Sequence, residues 1–130
     1  METEVKVYYE DTDCGGVVYY ANYLRYFERG RTEHLESHGI SLPDYQKRGV
    51  VFTVVNAGIE YKSPAVYGDI LSVTTSIEKI KGASFVVNYE IKRKSDGKLL
   101  ITGSTKMACV DASIKPIMIP GEIRTALGKG

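Results

Sequence analysis

Cysteine, histidine, proline and long apolar runs are all scarce in this chain of 130 residues. The two cysteines, Cys14 and Cys109, cannot build the disulfide framework of a small secreted domain, so a reducing cytoplasm is the expected compartment. The longest uncharged runs, Cys14 to Leu24 and Gly49 to Ile59, fall far short of the ~20 residues that a membrane-spanning helix needs. No membrane span is expected. Glu2, Glu4 and Lys6 interrupt any early apolar stretch, and no secretory signal peptide is expected either. Internal repeats, low-complexity tracts and linkers are absent, which argues for one domain over residues 1–130.

What is present is an ordinary globular composition, 43% hydrophobic and 25% charged, in a chain long enough to bury roughly two-thirds of its unfolded surface. The net charge of +1 hides an asymmetry. Residues 1–78 carry 7 Lys/Arg against 12 Asp/Glu, and residues 79–130 carry 10 against 4. A basic second half suits a phosphate-bearing ligand. Lysines on the solvated outer positions of a sheet would give the same balance. The basic residues are scattered and follow no nucleic-acid-binding module, so nucleic acid is not an expected partner.

The alternation in Val5-Lys-Val-Tyr reads as a first strand, followed by a turn-rich stretch in which Gly15 and Gly16 permit backbone angles that other residues resist. The strongest helical pattern runs from Asn22 to about His38. It contains no proline, and Tyr23, Leu24, Phe27, Arg31 and Leu35 recur at i+3/i+4 spacing opposite Arg25, Glu28, Arg29, Thr32, Glu33 and Glu36. Asn22 is the candidate N-cap and Gly39 the C-terminal glycine. Gly30 falls on or near the buried face, where a glycine costs about 1 kcal/mol against alanine. Close packing against its backbone is therefore expected.

After a loop through Pro43 the pattern reads as strand: Val50 to Tyr61, Asp69 to Lys81, Ser84 to Lys94 and Lys98 to Asp111, the last two joined by an Asp96-Gly97 turn. Strands of ten or more residues are long. With one long helix they predict an α+β fold, a curved antiparallel sheet wrapped around a central helix. One helix cannot cover such a sheet, so self-association is expected.

Residues 8–33 carry the chemistry: carboxylates in a turn, two glycines, and a helix start within ten residues. A helix start offers unpaired N–H groups and partial positive charge, which suit a carbonyl oxygen that becomes negative in acyl transfer. A carboxylate opposite could attack the carbonyl or activate water. Aspartate and glycine are also what any loop before a helix contains.

The same stretch resembles the signature of the 4-hydroxybenzoyl-CoA thioesterase family, in particular its YbgC-like acyl-CoA thioesterases. The residues that carry the resemblance are Tyr9, Asp11, Thr12, Asp13, Gly16, Val17, Val18, Tyr19, Asn22 and Tyr23, then Glu28, Arg29, Arg31, Thr32 and Glu33. Similarity continues through Ala57-Gly-Ile-Glu-Tyr-Lys-Ser-Pro-Ala65 and Tyr67-Gly-Asp69 to the end of the chain. The resemblance implies a hotdog fold, a dimer or tetramer with sites at the subunit interface, and hydrolysis of an acyl-CoA without any cofactor. It further implies that Asp13 is the catalytic carboxylate and that the Tyr20 backbone N–H polarises the thioester carbonyl. Gly16, Val17, Tyr19, Asn22 and Tyr23 would shape the substrate site. Lys79 and Lys81, beside the Gly82-Ala83-Ser84 turn, would meet the coenzyme phosphates, although solvated hairpin lysines are an equal reading of each. An acyl carrier protein thioester is an alternative carrier. Many YbgC-like sequences have histidine where this chain has Tyr20. The backbone donor survives that change and an imidazole contribution does not.

Other candidates carry less. Cys14 adjoins Asp13, but the only histidines, His34 and His38, lie at the far end of the helix, leaving a thiolate no partner base. The i, i+4 spacing of His34 and His38 is metal-competent. Yet Leu35 stands where a zinc-protease helix has its glutamate, and no third ligand is evident, so no metal is expected and both histidines are read as a surface helix end. A hotdog dehydratase or hydratase would need a histidine near the first turn. A non-catalytic acyl-binding module would have no need of Asp13.

Overall fold

The computed structural model describes residues 1–128. Five strands, β1 (Glu2–Lys6), β2 (Val51–Tyr61), β3 (Ile70–Glu78), β4 (Ser84–Arg93) and β5 (Leu99–Val110), form one antiparallel sheet in the order β1-β3-β4-β5-β2. The long helix α1 (Tyr23–Ser37) lies against the inner face of that sheet, and two short helices, α2 (Leu42–Lys47) and α3 (Gly121–Leu127), complete the chain. This is the antiparallel sheet against one long helix that the strand pattern predicted, and the hotdog arrangement that the resemblance implied.

The sheet can curve because its register slips. Val55 is an extra residue between the pairs Val54–Met107 and Asn56–Lys106, and a second irregularity separates Ile91 from Lys92. Alternate residues of the central strands, among them Leu71, Val73, Val87, Tyr89 and Ile101, are buried toward α1. The Asp96-Gly97 turn forms as expected, with Gly97 at φ +70 and its N–H donating to the Arg93 carbonyl at 2.8 Å.

Helix α1 ends as the sequence indicates. Gly39 takes φ +82, its N–H donates to the Glu36 carbonyl, and the Ile40 N–H donates to that of Leu35. Its buried stripe is Tyr23, Tyr26, Phe27, Gly30, His34 and Leu35. Leu24 is 41% exposed and Arg31 is half-buried, so the buried face keeps Tyr23, Phe27 and Leu35 but is turned by roughly 60° from the expected one. The glycine explains the rotation. A Cβ at Gly30 would stand 2.7 Å from Thr75 Oγ1 and 2.9 Å from Val73 Cγ1, so the backbone of α1 rests directly on β3.

Three expectations need correction. The first strand is residues 2–6, not 5–8, because the Asp11 carboxylate takes the Tyr8 N–H and turns the chain into a 3-10 segment at Tyr9–Asp11. The loop through Pro43 contains α2, capped by Ser41, whose Oγ accepts from the Asp44 N–H at 3.4 Å. His34 is a core residue, 1% exposed, and not part of a surface helix end. It lies on the Gly30 side of α1, under β3, and neither ring nitrogen has a partner among the described residues.

Two outcomes follow from this packing. Gly30→Ala would gain about 1 kcal/mol of helix propensity and lose ~1–3 kcal/mol to overpacking, since Thr75 and Val73 are buried in a central strand and cannot retreat. Its urea midpoint should fall below wild type, and Thr75→Ala in the same chain should recover part of the loss. For His34, burial lowers the imidazole pKa, with the N-terminal ammonium and His38 adding to the effect. The unfolded chain therefore takes up this proton first as pH falls through about 6.5. The stability held above that pH is lost until pH reaches the lower folded value. His34→Leu should show a smaller gap between its urea midpoints at pH 8 and pH 5.5 than wild type does.

Candidate active site

The stretch before α1 is a tight hairpin built from local donors and acceptors. Thr12 and Val18 form an antiparallel bridge, and the Asp13 N–H donates to the Val17 carbonyl at 2.9 Å. The chain reverses through Gly16, at φ +81, whose N–H donates to the Asp13 carbonyl at 3.1 Å. Gly15 needs no left-handed angle. Its role is to donate its N–H to Asp13 Oδ1 at 2.8 Å, which holds the exposed carboxylate against its own turn.

From Val18 the chain passes through Tyr19, at φ −59 and ψ 127, into a 3-10 turn over Tyr20–Asn22 that runs directly into α1. Helical geometry therefore begins at Tyr20, earlier than expected. The Asn22 N–H donates to the Tyr19 carbonyl, whereas the N–H groups of Tyr20 and Ala21 have no acceptor among the described residues. Two free donors at a helix start, a few residues from an exposed carboxylate, form an anion-accepting corner. Asn22 does not cap the helix. Its backbone is already helical, and its buried side chain donates to Asp11 Oδ1 at 3.0 Å.

A second loop braces the hairpin from outside. The Val18 N–H donates to the Ala65 carbonyl at 2.8 Å, and Val17 bridges Val66. The Tyr23 hydroxyl accepts the Ala65 N–H at 3.2 Å. This loop is anchored in turn by Asp69, whose Oδ2 accepts the Val66 N–H at 3.0 Å and Arg93 Nε at 3.1 Å. Arg93 also donates to the Pro64 carbonyl and to Asp96.

Tyrosines surround the helix start. The Tyr19 and Tyr20 rings lie 4.8 Å apart, Tyr61 lies 6.2 Å from Tyr20 and 5.8 Å from Tyr23, and the Tyr61 hydroxyl donates to the Tyr20 carbonyl at 3.3 Å. The Tyr19 phenol is raised by its contact with Tyr20, and burial raises those of Tyr23 and Tyr61, so these phenols stay neutral near pH 7. On the single chain the corner is open, with Tyr20 61% exposed.

The structure brings Asp13, Gly16, Val17, Tyr19, Tyr20, Asn22 and Tyr23 together. Lys79 and Lys81 are elsewhere. The hairpin abuts residues 65–69 at the start of β3, while the lysines follow its end at Glu78, nine residues and about 30 Å away. Lys79 reaches Glu78 at 3.8 Å, and Arg124 donates to the Lys81 and Gly82 carbonyls at 3.0 Å. Cys14 is exposed in the turn, Cys109 is buried, and neither is paired. Among the described residues no three His, Cys, Asp or Glu side chains converge as a metal site would require.

Sequence reasoning missed Asp11, Asp69, Arg93 and Tyr61 as parts of the site. Asp11 offered a signal, a second carboxylate two residues from Asp13. The Asp69–Arg93 pair offered none, because 24 residues separate its members.

Comparison with known proteins agrees with this geometry. The model of the thioesterase-like superfamily matches residues 7–127. The chain is 38% identical over 124 residues to the acyl-CoA thioesterase YbgC of Haemophilus influenzae, covering 94% of this chain and 90% of that one. It is 39% identical over 120 residues to the acyl-CoA thioester hydrolase YbgC of Shigella flexneri, covering 92% and 89%. Its backbone superimposes on a 1,4-dihydroxy-2-naphthoyl-CoA thioesterase from Synechocystis with a TM-score of 0.92 at 28% identity, covering 98% and 95%. The family model covers nearly the whole chain and the fold likeness extends over 98% of it, so the chain belongs to the thioesterase-like superfamily.

Proposed function

We propose that this chain, a single hotdog domain over residues 1–130, hydrolyses an acyl-CoA thioester to the free acid and coenzyme A, with Asp13 as the catalytic carboxylate and the Tyr20 N–H as the carbonyl donor. The observation that carries the reading is the pair of unsatisfied N–H groups at Tyr20 and Ala21, which follow directly on the hairpin that carries the exposed Asp13 carboxylate. A thioester carbonyl placed at that corner is polarised by the amides. Charge that develops on its oxygen is stabilised by donors fixed before the reaction. Asp13 then attacks the carbonyl carbon or takes a proton from an attacking water. Thiolate leaves either way, and in the first case a water then cleaves the mixed anhydride left on Asp13 to give the free acid. The ring of neutral tyrosines supplies walls for the acyl group and needs no cofactor. A dehydratase is disfavoured because His34 is buried in the core and His38 lies at the C-terminal end of α1. With both cysteines unpaired, the cytoplasm is the compartment proposed.

A second subunit completes the site in this reading. Strand β2 is an edge of the sheet, yet Val54 and Val55 are exposed on it, as is Tyr61 at its C-terminal end. Such an edge suits pairing with another copy. Lys79 and Lys81 would then meet coenzyme phosphates only across a subunit boundary, since β3 separates them from Asp13 of their own chain.

Asp13→Asn should lower kcat at least ~10²-fold in a thiol-release assay on an acyl-CoA panel, with its far-UV spectrum unchanged. Cys14→Ala should keep most activity. An active Asp13→Asn would end the assignment. Sedimentation should find a dimer or larger species, and an active 14.4 kDa monomer would refute the shared site. Lys79→Ala combined with Lys81→Ala should raise KM for acyl-CoA, leave kcat nearly unchanged, and have no effect on the same acyl group carried by a short thiol. Equal loss on both thioesters would exclude phosphate contact. Acyl carrier protein thioesters belong in the same panel as the alternative carrier.

A further inference from the structure

We infer that Asp11 is a positioning residue that sets the geometry between Asp13 and the Tyr20 amide, an inference that rests on the thioesterase reading. The two carboxylates of Asp11-Thr-Asp13 are treated in opposite ways by the fold. Asp13 is exposed, whereas Asp11 is 8% exposed and enclosed by donors. Asp11 Oδ2 accepts the Tyr8 N–H at 2.9 Å and Oδ1 accepts Asn22 Nδ2 at 3.0 Å. Its carbonyl accepts the Tyr19 N–H at 2.9 Å.

These three bonds bracket residues 12–19 from both sides. Tyr8 precedes the turn, Tyr19 is the residue before the first free amide, and Asn22 ends the 3-10 turn that Tyr20 opens. Moving Asp11 therefore moves the hairpin that carries Asp13 relative to the turn that carries the Tyr20 N–H. The Tyr26 hydroxyl is buried beneath the same pair, and burial together with the Asp11 charge holds that phenol well above its usual range. Asp11 acts through its neighbours and need not touch substrate.

The chemistry of the contacts dictates the test. Asparagine at position 11 can present its oxygen to Tyr8 and its NH2 to an Asn22 amide that has turned over, so Asp11→Asn keeps the bracket without the charge. Alanine removes it. At a temperature well below each variant's own melting point, Asp11→Ala should lose at least ~10-fold in kcat with KM within about two-fold, and Asp11→Asn should stay within about three-fold of wild type. Asn22→Asp sets two carboxylates face to face in a buried place, where they coexist only by sharing a proton. Its kcat should fall as pH rises, and Asp11→Asn combined with Asn22→Asp should abolish that pH dependence.

Hydrogen exchange supplies a readout that does not depend on turnover. The amides of residues 12–19 should exchange faster in Asp11→Ala while those of β4 and β5 do not. A folded Asp11→Ala with wild-type kcat, or an Asp11→Asn as impaired as Asp11→Ala, would overturn the inference. Should Asp11→Ala fail to fold, the pH profiles of Asn22→Asp and the exchanged pair decide. If wild type hydrolyses no thioester, the functional reading fails, and unchanged exchange in residues 12–19 would refute the positioning role separately.

Discussion

The close approach of α1 to its sheet is the constraint on which the remaining structure depends. Two glycines permit it. Gly30 lets the helix backbone rest on Val73 and Thr75, and Gly103 leaves room on β5 for the Phe27 ring, which a Cβ there would strike. Phe27 then stacks on Tyr89 with centroids 4.1 Å apart and planes 6° from parallel. Side chains larger than hydrogen at either position would lift or turn the helix, because interiors packed at crystal-like density have no slack to absorb them. A helix seated so deeply cannot rotate freely, and its first turn is consequently delivered to one place at the end of the sheet.

The proposed active corner depends on that delivery. Free amides at a helix start are common, but they assist a reaction only if a reacting group is held in register with them. Here register comes from two layers of hydrogen bonds. The inner layer is the hairpin itself, with Asp13 paired to Val17 and Gly15. The outer layer is the loop through Ala65 and Val66, tied to the hairpin on one side and to Asp69 and Arg93 on the other. The Asp69–Arg93 pair is only partly exposed and makes four contacts in all, which gives it the geometry that isolated surface ion pairs lack. Rigidity at the corner is thus borrowed from β4, a central strand.

How much of this could be read from sequence follows from contact range. The hairpin, its glycine turn and the helix start lie within residues 8–23, and their pattern announced a carboxylate beside a helix start. The strands were legible from their apolar alternation, and Gly30 from being a glycine where a helix should not want one. The orientation of α1 was not. Leu24 and Arg31 fit an i+3/i+4 pattern as well as Tyr26 and His34 do, and only the contact of Gly30 with β3 decides between them. His34 looked like a surface residue because nothing local reveals that its side of α1 is packed into the core. Helix α2 is six residues long and α3 seven, too short for periodicity to register against the turn residues Pro43 and Pro120 beside them. Lys79 and Lys81 are a case of another kind. The glycine turn beside them and the resemblance singled them out, and only the strand register shows that they lie at the far end of β3 from Asp13 of their own chain.

The Asp-Thr-Asp run shows how one side chain type is assigned two tasks by environment alone. A carboxylate that already accepts two strong donors and is shielded from water has its lone pairs committed, which makes it a good structural acceptor and a poor nucleophile. A carboxylate that accepts one N–H and faces solvent keeps lone pairs for a substrate or a water. A regular strand would point residues two apart the same way. Here the 3-10 turn that ends at Asp11 gives way at Thr12 to the hairpin, and that change of backbone puts one side chain into the molecule and the other out to solvent. The same short stretch of backbone therefore carries a buried anchor and an exposed carboxylate. Because the anchor's carbonyl also holds the residue before Tyr20, the exposed carboxylate and the free amide at the helix start share a single fixed point.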